Sequence, residues 1–106
     1  MDRTFAITGS ASGMGAATAA RLGAAGHRVI GIDLHDAEVV ADLATASGRD
    51  DAIAGVADRA DGALDGLVTW AGLSGLDKYP GSLLVAVNYF GTVAMRRPFT
   101  IPARAT

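Results

Sequence analysis

Residues 8 to 15, Thr8-Gly9-Ser10-Ala11-Ser12-Gly13-Met14-Gly15, set three glycines between a short apolar run, Phe5-Ala6-Ile7, and an alanine-rich segment. A loop that leaves a strand and opens a helix is suited to a phosphate, because the first helical N–H groups lack helical partners and the helix dipole favours an anion there. Glycine lets such a backbone turn sharply and approach a pyrophosphate or a neighbouring strand closely. A lone glycine cluster suits a plain strand-to-helix turn equally well, so its setting has to discriminate. Asp33 ends the next apolar run at about the twenty-residue spacing at which a carboxylate meets the adenosine ribose of a dinucleotide. A carboxylate there accepts from both ribose hydroxyls and repels a 2′-phosphate, and no arginine follows in Leu34-His35-Asp36. The pattern therefore predicts NAD in preference to NADP. The alternative is that Asp33 only caps its own loop.

The elements that must position these residues can be read from periodicity. Arg3 to Thr8 reads as a buried strand and Arg28 to Ile32 as a second, ending at Asp33. Between them Met14, Ala17, Thr18, Leu22 and Ala25 fall at helical spacing, and Gly26 stands where a left-handed residue ends a helix. Strand, helix, strand is the signature of a parallel βαβ unit. Glu38 to Leu43 predicts a third strand only four residues after Asp33, which leaves no room for the usual crossover helix. Ser47, with Asp50 three residues on, reads as the cap of a helix whose inner face is Ile53, Val56 and Ala57. Gly66 to Trp70 is the fourth predicted strand, and Ala71 to Gly81 is turn-rich. From Ser82 the apolar positions, including Val87, Phe90 and Met95, predict a helix that Arg96-Arg97-Pro98 cuts short. The expected fold class is α/β, a truncated Rossmann-type, doubly wound three-layer fold with a parallel sheet of about four strands.

Composition bounds the remaining possibilities. A chain of 106 residues, 50% hydrophobic and 19% charged, is globular and holds one small domain. Its formal charge of −2 gives no electrostatic footprint for nucleic acid. The absence of cysteine removes thiolate metal sites and cysteine nucleophiles, and no metal site is expected. No stretch approaches the length of a membrane span, so no membrane is expected and a cytoplasmic protein is the default.

The spacing T-G-x-x-x-G-x-G over residues 8 to 15 resembles that of the short-chain dehydrogenase/reductase family. Asp42-Leu43 resembles the family's acid–aliphatic pair after the third strand, which implies a contact with adenine. Ala71 and Gly72 match the end of the family's Asn-Asn-Ala-Gly segment, whereas Thr69 and Trp70 stand where it has asparagines. Val87-Asn88-Tyr89-Phe90-Gly91 resembles V-N-x-x-G, in which the asparagine shapes the active site and joins a proton relay. Within the family, Gly31-Ile32-Asp33, Asp36-Ala37-Glu38-Val39 and the short link after the second strand look most like bacterial hydroxysteroid dehydrogenases and carbonyl reductases. The resemblance implies cofactor contacts from Gly9, Ser12, Gly13, Met14, Gly15, Asp33, Asp42, Leu43, Ala71 and Gly72, a relay role for Asn88, a steroid or carbonyl substrate in a longer relative, and a homo-oligomer.

The likeness covers residues 4 to 95, which divides the chain into an NAD-binding unit, 1–95, and a divergent tail, 96–106. Family members move a proton with a Tyr four residues before a Lys, whose ammonium lowers the phenol's pKa. The single lysine here is Lys78, and Ser74 precedes it by four residues, so these 106 residues contain no Tyr-x-x-x-Lys. The expectation is a dinucleotide-binding portion with little or no turnover alone, its tail of the kind a frameshift would leave. A non-catalytic nucleotide-binding or self-associating interaction module is the alternative. Tyr79 and Tyr89 are expected to be loop and packing residues.

Overall fold

The computed structural model describes residues 3–61, 63–72, 82–83, 86–96 and 99. Lys78, Tyr79, Ser74 and the tail beyond Arg96, except Phe99, lie outside the described residues, as does the side chain of Tyr89.

Four strands, β1 (Thr4–Thr8), β2 (Arg28–Asp33), β3 (Val39–Val40) and β4 (Gly66–Thr69), form one parallel sheet in the order β3-β2-β1-β4. Helix α1 (Gly13–Ala24) joins β1 to β2, and α2 (Ala46–Ala60) joins β3 to β4. The first crossover steps one way along the sheet and the second returns past β1, so right-handed connections put the two helices on opposite faces. Strand alternation agrees. Ala6, Ile30, Ile32 and Val39 join Ala52 and Val56 of α2 in one buried cluster, while Ile7 is fully buried on the face that α1 covers. The chain is thus of the Rossmann type, and its order reverses between β1 and β4. The open-sheet rule places ligands outside the carboxyl ends of the strands at such a switch point.

Local details sharpen or correct the expectations. Helix α1 ends as Gly26 predicts. Gly26 takes φ +90°, its N–H bonds to the Gly23 carbonyl at 3.0 Å, and the His27 N–H reaches back to Leu22 at 3.1 Å. Of the residues at helical spacing in α1, Met14 is 65% exposed, and the residue that the helix buries is Gly15. A Cβ on Gly15 would collide with the Gly9 carbonyl, so backbone packs directly on backbone where the helix begins. β3 shrinks to two residues, and the Glu38 carboxylate accepts from the Gly31 N–H of β2 at 2.7 Å. The link between β2 and β3 holds only residues 34 to 38, with Asp36 at φ +49°, so a loop replaces the crossover helix.

The cap of α2 is Thr45 and not Ser47. Thr45 Oγ1 accepts from the Gly48 N–H at 2.9 Å, because the chain turns sharply onto the Asp42 carbonyl before the helix starts. Of the predicted last helix, Ser82 and Leu83 are helical, Ala86–Gly91 form a π-helical turn, and α3 (Thr92–Arg96) follows that turn directly. Gly91 is buried against Leu43, where an added Cβ would stand 3.2 Å from the leucine Cβ. Met95 is fully buried, and Phe99 joins the same cluster with Leu64 and Val56.

Candidate functional site

A cleft of about 490 Å³ opens at the carboxyl ends of the strands. Its floor is the glycine loop. Gly9 takes φ +74°, and a Cβ there would stand 2.8 Å from the Ala71 backbone nitrogen, so only glycine lets the first loop and the β4 exit approach this closely. Ser12 leads into α1 without a side-chain cap bond, and the first turn carries no acid. The end of a 12-residue helix, with the N–H groups of Gly13, Met14 and Gly15 outside the helical ladder, therefore faces the cleft with partial positive charge. This suits a phosphate.

Asp33 forms the wall on the β2 side. Its Oδ2 accepts from the Ala11 N–H at 2.9 Å and its Oδ1 from the Leu34 N–H at 2.7 Å. The capping role and the cleft-lining role, set against each other by the sequence, coexist. Each carboxylate oxygen holds one backbone donor and keeps lone-pair capacity for another. Asp42 and Leu43 line the far end. Asp42 Oδ1 accepts from the Ala44 N–H at 2.9 Å, which keeps this corner in a tight turn, and Leu43 is buried.

Ala71 and Gly72 close the β4 side. The Ala71 N–H donates to Thr8 Oγ1 at 3.1 Å, and Thr8 is buried beneath the loop. Asn88 lies beside Gly72, where an added Cβ would stand 3.2 Å from its Oδ1. All ten residues named as cofactor contacts therefore line one cleft, and Asn88 stands at its edge. A dinucleotide fits the donors and acceptors present: backbone N–H groups for phosphates, carboxylates for hydroxyls, and apolar side chains for flat rings.

Sequence reasoning did not assign Leu34, Trp70, Leu83 and Val87, which also line the cleft. Leu34 and Trp70 are 60% and 44% exposed, large apolar side chains left at the rim of a hole. Their only sequence signal was position, directly after an acid at one strand end and after β4 at another. Arg49 was missed as well. Its Nη1 donates to the Leu43 carbonyl at 2.9 Å, and its guanidinium carbon stands 5.9 Å from the centre of the Phe90 ring, so it ties the far corner of the cleft to the π-helical turn.

The chain matches no protein-family model. It is 50% identical over 97 residues to a 3-alpha-hydroxysteroid dehydrogenase/carbonyl reductase of Comamonas testosteroni, an alignment that covers 92% of this chain and 37% of that protein. It is similar to the crystal structure of the 3-alpha-hydroxysteroid dehydrogenase from Pseudomonas sp. B-0831 complexed with NADH, with a TM-score of 0.79 and 53% identity over 87% of this chain and 38% of that one. An oxidoreductase of Brucella ovis described as a short chain dehydrogenase/reductase gives a TM-score of 0.78 at 25% identity, over 91% of this chain and 53% of that one. The chain thus spans a little over a third of the length of the first two.

Proposed function

The chain belongs to the short-chain dehydrogenase/reductase family, and from that we propose that its cleft binds NAD(H), with NAD favoured over NADP. Asp33 would accept from the adenosine ribose hydroxyls, Asp42 and Leu43 would hold the adenine, and the glycine loop with the α1 N-terminus would take the pyrophosphate. Ala71, Gly72 and Asn88 would then border the nicotinamide half. Supporting this is one observation: ten residues from four separate segments converge on a cleft at the switch point of the sheet. The carboxylate of Asp33 at the ribose end carries the preference for NAD, since a 2′-phosphate would meet a negative charge and no nearby arginine follows it in sequence.

When bound, the cofactor supplies hydride exchange, and the name of the Comamonas relative suggests a steroid or other carbonyl compound as the hydride partner of a longer protein. This chain's own residues bind and orient. They contain no Tyr-x-x-x-Lys to move the proton, so the expected turnover of the 106 residues alone is negligible.

Titration with NADH, followed by quenching of the single tryptophan, Trp70, and by calorimetry, tests the proposal. Saturable binding that weakens strongly for NADPH is expected. No binding at millimolar NADH refutes it, and equal affinity for NADPH refutes the role given to Asp33.

A further inference from the structure

We infer that Trp70 is a positioning residue that tethers the phosphate-binding end of α1 to the exit of β4. The indole Nε1–H donates to Thr18 Oγ1 at 3.0 Å, and the Thr18 hydroxyl donates its own proton to the Met14 carbonyl at 2.7 Å. The direction of this chain is forced. An indole nitrogen only donates, so Thr18 must accept from it, and its single proton remains for Met14. A hydroxyl that accepts and donates at once is polarised by both bonds, which strengthens each.

The tether ends on the first turn of the helix, where Met14 sits between the cleft-lining Gly13 and Gly15. Its neighbour Ala71 grips the other side of the same loop, through the Ala71 N–H bond to Thr8 Oγ1. Two consecutive residues after β4 therefore hold the glycine loop at both flanks, Thr8 before it and Thr18 after it. Trp70 is 44% exposed, so burial of its ring does not account for a tryptophan at this place. A fixed indole N–H does. The spacing between the α1 N-terminus and the β4 exit sets how far apart the phosphate donors and the Ala71-Gly72 wall stand, so the tether tunes affinity for the diphosphate part of the ligand.

The tether deepens the NAD(H) proposal above and rests on it for its ligand. The experiment is a double-mutant cycle on the whole chain. Trp70→Phe keeps an aromatic ring and removes the N–H, and Thr18→Val keeps the shape and removes the hydroxyl. Each is expected to raise the Kd for NADH about five-fold, equivalent to about 1 kcal/mol, with the double variant no weaker than either single one. Thr18→Ser, which retains the hydroxyl, is expected to restore wild-type affinity. Unchanged affinity in the single variants, simple additivity in the double, or failure of the serine to rescue overturns the tether.

Amide hydrogen exchange over residues 16 to 18 is read in the same proteins without ligand. Faster exchange in Trp70→Phe and Thr18→Val but not in Thr18→Ser supports the tether, and equal rates in all four overturn it. A wild-type chain that fails to bind NADH therefore refutes the cofactor proposal, while the exchange rates still decide the tether.

Discussion

Asp33→Asn retains the size of the side chain at the β2 wall of the cleft, where a ribose is proposed to bind, and removes its charge. In the structure the carboxylate accepts from Ala11 at 2.9 Å and from Leu34 at 2.7 Å. An asparagine has one acceptor oxygen and one donor nitrogen, so it satisfies one of the two backbone donors and presents N–H to the other. The bond to Ala11 is half-buried and crosses from β2 to the glycine loop, whereas the bond to Leu34 is local and exposed. The expected loss of stability is therefore near the low end for a hydrogen bond to a charged group, about 1.5 kcal/mol. For a domain of this size that corresponds to a fall in Tm of roughly 6–12 °C.

Binding carries a separate signature. Loss of a charge-assisted acceptor toward the ribose weakens NADH by about 10-fold or more, following the same range for hydrogen bonds to charged groups. NADPH loses less, because the repulsion of its 2′-phosphate is removed together with the acceptor. Urea denaturation and parallel titrations with NADH and NADPH read both effects. A variant with unchanged NADH affinity and an unchanged NADH-to-NADPH ratio refutes the ribose contact, and unchanged stability refutes the hold on the loop.

Thr45→Ala is expected to cost about 1 kcal/mol in urea denaturation through loss of the α2 cap, while Ser47→Ala stays within about 0.5 kcal/mol; the reverse order would return the cap to Ser47. Gly15→Ala drives a methyl into the Gly9 carbonyl, and loss of saturable NADH binding is expected even in whatever fraction still shows native circular dichroism. Met95→Ala, at a fully buried position packed with α2 residues, is expected to cost about 2–5 kcal/mol, read as a lower urea midpoint with an unchanged slope; a smaller loss would show that α3 contributes little to the core.

The features legible before folding were those with a local cause. The glycine loop, the Gly26 stop and the acid at the end of β2 each depend on residues within one turn or one strand end, so spacing alone reveals them. The order of elements and the parallel sheet followed from hydrophobic periodicity, and the ten cleft residues from resemblance. The errors share the opposite character. Ser47 has the right chemistry for a cap, yet Thr45 holds the position because the loop after β3 folds back on the Asp42 carbonyl. The predicted third strand, Glu38 to Leu43, pairs only at Val39 and Val40, because Glu38 spends its side chain on the Gly31 N–H and Leu43 is drawn into the core. A 3.6-residue period cannot register a π-helical turn, which gains one residue without changing the apolar composition.

Residue types and their order along the chain determined that a glycine-rich strand-to-helix loop, an acid at the end of the second strand and a parallel sheet would be present, and that no tyrosine precedes a lysine by four. Hydrogen-bond partners 52 and 63 residues apart, Thr18 with Trp70 and Thr8 with Ala71, were decided only by the tertiary structure. The reversal of strand order between β1 and β4 brings the loop after each into contact, and contacts of that range leave no periodic trace in a single sequence.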